Sequence, residues 1–231
     1  MLSYQHIYHA GNLADVQKHA LLAWMLSYLT RKDKPLTYLE THAGRALYDL
    51  SDAAGEKTGE ARQGIDKVRD WFAPDHPYRQ VLEALREAHG PRAYPGSSLL
   101  AAKLLRPDDR IHLAELHPQE HSALDLAMSP YPAKCHLSDG FEMAFALTPP
   151  TPRRGMLLID PSYEIKTDYE TIPRQIAKLN RAWNVGIIAL WYPILTNRAH
   201  EPMLDKLTAN HPDALRHEVR FPPARPGHGM V

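Results

Sequence analysis

Residues 156–163 read Met156-Leu157-Leu158-Ile159-Asp160-Pro161-Ser162-Tyr163. Four apolar residues in a row, closed by an acid and a proline, predict a buried strand that ends in a polar turn. The same grammar recurs along the chain. Run 36–39 leads into Glu40-Thr41-His42-Ala43-Gly44, run 111–114 into Glu115, run 135–137 into Ser138-Asp139-Gly140, and run 185–191 into Tyr192-Pro193. Glu115 and Asp139 are 24 residues apart, Asp139 and Asp160 are 21 apart, and Asp160 and Trp191 are 31 apart. Each interval fits one strand plus one helix, with helices expected at about 117–128, 142–147 and 167–183. Such alternation predicts an α/β fold with a parallel sheet and helices on both faces. Ligands bind such sheets outside the carboxyl ends of the strands. His42, Glu115, Asp139 and Asp160 all fall at those ends.

Outward from this frame, residues 12–31 read as a helix with Asn12 as its N-cap, and Pro35 bars its continuation. More than sixty residues separate Gly44 from Ile111. Their charged, helix-like middle (60–72 and 78–88) predicts a helical insertion at 48–95, between a main domain of 1–47 and 96–231. Tyr94-Pro95-Gly96-Ser97-Ser98 returns the chain to a helix at 99–105, and 215–221 reads as a sixth strand.

Composition narrows the function. The 231 residues carry 27 basic and 27 acidic side chains, so the formal charge is zero, which argues against a wholly charge-driven nucleic-acid binder. One cysteine, Cys135, rules out an internal disulfide framework. No apolar run reaches membrane-spanning length and the start lacks a signal-peptide pattern, so a reducing cytoplasm is the expected compartment. The three-glycine dinucleotide fingerprint is absent, which counts against a nicotinamide enzyme. The histidines of the N-terminal stretch lack the spacing and partner acid of a zinc site.

The turn at 160–163 resembles the Asp-Pro-Pro-Tyr signature of amino-group methyltransferases, with Ser162 in place of the second proline. An exocyclic amine is a poor nucleophile because its lone pair is delocalised into the ring. A carboxylate at Asp160 and the carbonyl of Pro161, accepting its two hydrogens, expose that lone pair. Tyr163 offers a face on which an extruded base can stack. An acid at Glu115 can accept both hydroxyls of a ribose. Asp139-Gly140 suits an acid that reads an adenine amino group across a glycine. Lys166 is a candidate contact to a phosphate or to the loop.

The opening nineteen residues (Met1 to His19), then Tyr-Leu-Glu-Thr-His-Ala-Gly at 38–44, Tyr-Pro-Gly-Ser at 94–97, Glu-Leu-His-Pro at 115–118, Asp-Gly-Phe at 139–141, Asp-Pro-Ser-Tyr-Glu-Ile-Lys-Thr-Asp-Tyr at 160–169 and Leu-Trp-Tyr-Pro at 190–193 resemble the ribosomal RNA large-subunit methyltransferase J family along the whole chain. The resemblance implies a Rossmann-like methyltransferase fold and methyl transfer from S-adenosyl-L-methionine to N6 of one adenine in 23S ribosomal RNA. It implies that Lys18, His19, His42, Ser97, Glu115, Asp139, Gly140 and Asp160 bind the cofactor. Asp160 would be catalytic, and Tyr4, with Pro161 and Tyr163, would meet the adenine. The expected partner is 23S ribosomal RNA, protein-free or at an early assembly stage, bound by a monomer without metal or membrane. Family members continue past Val231, so a C-terminal truncation is expected here. Two alternatives stay open: methylation of DNA adenine or a glutamine amide, and a non-catalytic nucleic-acid-binding protein linked to competence.

Overall fold

Asn12 opens the first helix, α1 (Leu13–Thr30), by accepting the Asp15 N–H at 2.8 Å, which satisfies one of the free donors of the first turn. The computed structural model describes residues 6–52 and 58–221. Tyr4, the first five residues of the N-terminal motif, and the end of the chain from 222 lie outside the described residues.

The described residues contain seven strands: β1 (Thr37–Glu40), β2 (Leu47–Asp49), β3 (Ala93–Pro95), β4 (Arg110–Ala114), β5 (Ala133–His136), β6 (Gly155–Ile159) and β7 (Ile187–Leu190). Five of them form one sheet in the order β5-β4-β1-β6-β7, every pair parallel. From β1 the chain winds outward to β4 and β5, then crosses back to β6 and β7. The order therefore reverses between β1 and β6, and a crevice opens there at the carboxyl edge.

The helices cover both faces. Leu36, Tyr38, Ile111, Leu113, Met156 and Leu158 point into one core, shared with α1, α4 (Pro77–His89), α5 (Ser97–Leu104) and α6 (Pro118–Met128). Their sheet neighbours Leu39, Leu157 and Ile159 point into the other, with α7 (Gly140–Leu147), α8 (Asp168–Ala182) and α9 (Glu201–Asn210). Strands buried on both faces read as unbroken apolar runs, and that is why the runs were legible.

Three expectations need correction. The helix expected over 60–72 is broken into α2 (Glu60–Gln63), α3 (Ile65–Val68) and a 3-10 turn. The break falls at Gly64, where the chain passes so close to α1 that a Cβ would sit 2.0 Å from the Gly11 carbonyl oxygen. Second, residues 47–49 and 93–95 form an antiparallel ribbon, Leu47 opposite Pro95 and Asp49 opposite Ala93, which no alternating run announced. Third, 215–221 makes no ladder with any described strand. It is held by side chains instead: His217 meets Gln17 at 3.0 Å, and Glu218 accepts the Tyr192 hydroxyl at 2.6 Å. Leu215, at 95% exposure, faces water.

Candidate active site

Backbone hydrogen bonds continue the sheet past the strand ends. Thr41 N–H donates to Leu158, Ala43 N–H to Ala114, Glu115 N–H to His136 and Trp191 N–H to Ile159. The loops after β1, β4, β6 and β7 therefore leave the sheet side by side. They enclose a cleft of about 1490 Å³, larger than the ~300–1,000 Å³ of ordinary small-molecule sites. His42, Ser97, Glu115, Asp139, Gly140, Asp160, Pro161 and Tyr163 all line it, as do Lys18 and His19 from α1. Lys166 does not: it is exposed on the turn before α8.

The acids arrive oriented. Glu115 accepts the Gly44 N–H at 3.0 Å and the His117 N–H at 2.8 Å, one on each oxygen, so its carboxylate plane is set by backbone. Asp139 caps α7, its Oδ1 taking the N–H groups of Phe141 and Glu142 at 2.8 and 3.0 Å, which leaves Oδ2 for a ligand. Gly140 serves packing as well as the cleft. A Cβ there would lie 2.0 Å from the Thr41 carbonyl oxygen, so only glycine lets α7 start against β1.

Beneath the cleft floor, Glu40 is fully buried and accepts two hydroxyls, from Tyr38 at 3.0 Å and from Ser97. Burial pushes its carboxyl up to about 7, against the pull of those two hydrogen bonds. When Glu40 is ionised, the Ser97 proton is spent on it and the hydroxyl presents lone pairs to the cleft.

The face of α1 that meets the cleft is built on i, i+3 and i, i+4 spacing. Asp15 accepts the Gly11 N–H at 2.9 Å and lies 3.1 Å from Lys18 Nζ, 3.1 Å from His6 Nε2 and 3.4 Å from His19 Nε2. Burial disfavours the Asp15 charge, but His19, His6 and Lys18 outweigh it and hold the carboxyl well below the usual range. Lys18, itself 6% exposed, reaches over to Asp160 at 2.6 Å. Burial lowers His19 to about 4, against the pull of Asp15. Its Nδ1 meets the Tyr94 hydroxyl at 3.1 Å. Burial likewise lowers His42, whose Nδ1 meets the Thr41 hydroxyl at 2.7 Å.

The turn after β6 is strained at one residue. Tyr163 has φ of 57°, in the left-handed region that non-glycine residues seldom occupy. Two contacts hold it there: its hydroxyl donates to the Trp191 carbonyl at 2.8 Å, and its ring stacks on Tyr169 at 4.8 Å. The turn at 160–163 is thereby tied to the end of β7. One ring face of Tyr163 is already covered by Tyr169.

Residue-by-residue reading missed four contributors. Asp15 carries a signal in its spacing, three residues before Lys18 and four before His19. Glu40, Trp191 and the Arg45–Glu120 pair gave no local signal, because their partners lie far along the chain. Arg45 Nε donates to Glu120 Oε2 at 2.9 Å and its Nη2 to Oε1 at 2.5 Å, joining the loop after β1 to α6. Among the described residues, no group of three or more potential metal ligands occurs, and no helix is long and apolar enough to cross a membrane.

The family model described as "Ribosomal RNA large subunit methyltransferase D, RlmJ" matches residues 33–231. The chain is 40% identical over 215 residues to "Ribosomal RNA large subunit methyltransferase J" of Escherichia coli (strain K12), covering 90% of this chain and 76% of the relative. It is 39% identical over 218 residues to the protein of the same name from Haemophilus influenzae, with the same two coverages. Among solved structures, protein LPL1258 from Legionella pneumophila is similar, with a TM-score of 0.78 and 38% identity over 87% of this chain and 76% of that one.

Proposed function

Since this chain belongs to the ribosomal RNA large subunit methyltransferase J family, we propose that it transfers a methyl group from S-adenosyl-L-methionine to N6 of an adenine in 23S ribosomal RNA, with Asp160 as the group that engages the amine. The observation that carries the assignment is the convergence of Asp160, Glu115, Asp139 and Ser97 on one cleft at the sheet's switch point.

The donor set fits the cofactor. Glu115, fixed by two backbone N–H groups, suits a ribose diol, and Asp139 Oδ2 suits an adenine amine. Ser97, with its proton turned to Glu40, suits a cationic donor such as an α-ammonium. His19, His42 and Gly140 wall the same space. When bound, S-adenosyl-L-methionine supplies an electrophilic methyl on a sulfonium.

The chain's own residues do the rest. Asp160 and the Pro161 carbonyl accept the two amine hydrogens and turn its lone pair toward the methyl. Asp160 then takes the proton that the amine gives up. Lys18, bonded to Asp160 at 2.6 Å and to Asp15 at 3.1 Å, fixes the carboxylate in place. The Tyr163–Trp191 link holds the turn still while the base enters. Rate comes from positioning and fixed charges, with no covalent enzyme intermediate. Tyr4 belongs to the adenine contacts, and Lys166 to a more distant phosphate contact outside the cleft. The insertion at 48–95 is read as a subdomain of a monomer whose main unit comprises 1–47 and 96–231.

Asp160→Asn tests the assignment. Transfer of labelled methyl to an unmethylated 23S ribosomal RNA transcript is expected to fall by roughly 10²–10⁴-fold, the usual contribution of one acid–base group. Transfer near the wild-type rate would overturn the role of Asp160. Label appearing on duplex DNA and not on RNA would overturn the substrate.

A further inference from the structure

The cleft does not stop at the catalytic cluster. Leu13, Gln17, His217, Val219 and Phe221 line it and also line a second groove, of about 350 Å³ and almost wholly apolar. One wall of that groove is the outer stripe of α1, ending at Trp24; the other comes from the helical insertion and ends at Trp71. Both indoles stand in water. Trp24 is 53% exposed and Trp71 79%. His76 stacks near Trp24, ring centroids 5.9 Å apart and 24° from parallel. A contiguous apolar patch of this kind marks an interaction site.

We propose that this groove receives the nucleotides flanking the target adenine, which stack on Trp24 and Trp71 when the adenine enters the cleft. The proposal rests on the reading of the chain as an RNA methyltransferase. Three observations select the occupant. First, the groove adjoins the cleft, with Leu13, Gln17, His217, Val219 and Phe221 lining both, so the nucleotides next to a base held at Asp160 come within reach of it. Second, extruding a base breaks its stacking on both neighbours, and an aromatic platform beside the entry restores that loss for any sequence. Third, 27 basic residues against 27 acidic ones argue against a wholly charge-driven coat on the phosphate backbone, and stacking on exposed indoles supplies affinity that does not need it.

The test uses the full chain and a protein-free 23S ribosomal RNA transcript. The double variant Trp24→Ala/Trp71→Ala is expected to raise KM for the transcript by at least tenfold, since one base–aromatic stack is worth roughly five- to hundredfold. The Kd for S-adenosyl-L-methionine, measured by calorimetry, is expected to stay within twofold. Trp71→Phe keeps an aromatic face and should hold KM near wild type, whereas Trp71→Leu, apolar but unable to stack, should not. At 79% exposure Trp71 packs on little, so these single variants report binding even where the double variant fails to fold. An unchanged KM in Trp71→Leu and the double variant overturns the proposal while leaving the enzyme assignment intact. A wild-type protein that labels no RNA removes the reading beneath it. A dimer in sedimentation that disappears in Trp71→Leu would give the groove to a second copy and also overturn it.

Discussion

Glu40 shows what the site asks of single residues. Its carboxyl is sealed from water, receives two hydroxyl protons, and is pushed up by burial from 4.5 to about 7. The sign of the pH effect follows. The folded state holds a proton that the unfolded state has already lost, so Glu40 weakens folding progressively as pH rises from about 4.5 through 7. Glu40→Gln removes that dependence. In chemical denaturation, the stability of the variant relative to wild type should increase between pH 5 and pH 8, by on the order of 3 kcal/mol at most. A difference independent of pH would show that Glu40 is ionised throughout. The variant should also weaken cofactor binding, because a carboxamide can donate to Ser97 and turn its hydroxyl proton back into the cleft.

At the scale of elements, the site depends on close approach between α7 and β1 and on the clasp between the β1 loop and α6. Gly140→Ala forces a Cβ to within 2.0 Å of the Thr41 carbonyl oxygen, so α7 must shift away. A loss of about 1–3 kcal/mol is expected from such overpacking, with a larger Kd for S-adenosyl-L-methionine because Asp139 moves with the helix. Unchanged melting and affinity would show that α7 tolerates the shift. Arg45→Ala leaves Glu120, a buried acid, without its guanidinium. Arg45 is about a quarter exposed, so the stability cost is limited to roughly 1–2 kcal/mol. The sharper readout is cofactor affinity, since Arg45 follows Gly44, whose N–H orients Glu115. Arg45→Ala should raise the cofactor Kd, and a restored Kd in Arg45→Lys would show that charge alone suffices.

For the whole molecule, the balance of 27 against 27 charges bears on how RNA is held. Recognition concentrated in one cleft and one aromatic groove neutralises few phosphates. The slope of log K against log salt should therefore be shallow, with a magnitude below about 3, because each neutralised phosphate adds roughly 0.7–0.9. A steep slope, on the order of 6 or more, would show a broad cationic track that this surface conceals.

The alternation of apolar runs with helix-length intervals, and the acid or histidine after four of the five runs, were enough to determine a parallel sheet and to place His42, Glu115, Asp139 and Asp160 at its functional edge. The reason is local: a strand buried on both faces must be apolar throughout, and a ligand edge must interrupt it with polar groups. Tertiary structure alone decided which partners those groups have. The Lys18–Asp160 bond spans 142 positions and the Ser97–Glu40 bond 57. Neither is written in any window of sequence, since a charge or a hydroxyl carries no address for its partner. Likewise, 215–221 has the alternation of a strand, yet it pairs with no strand among the described residues and its side chains settle on α1 and Tyr192. Periodicity reports which side of a segment is apolar. Only the packed chain determines what that side lies against.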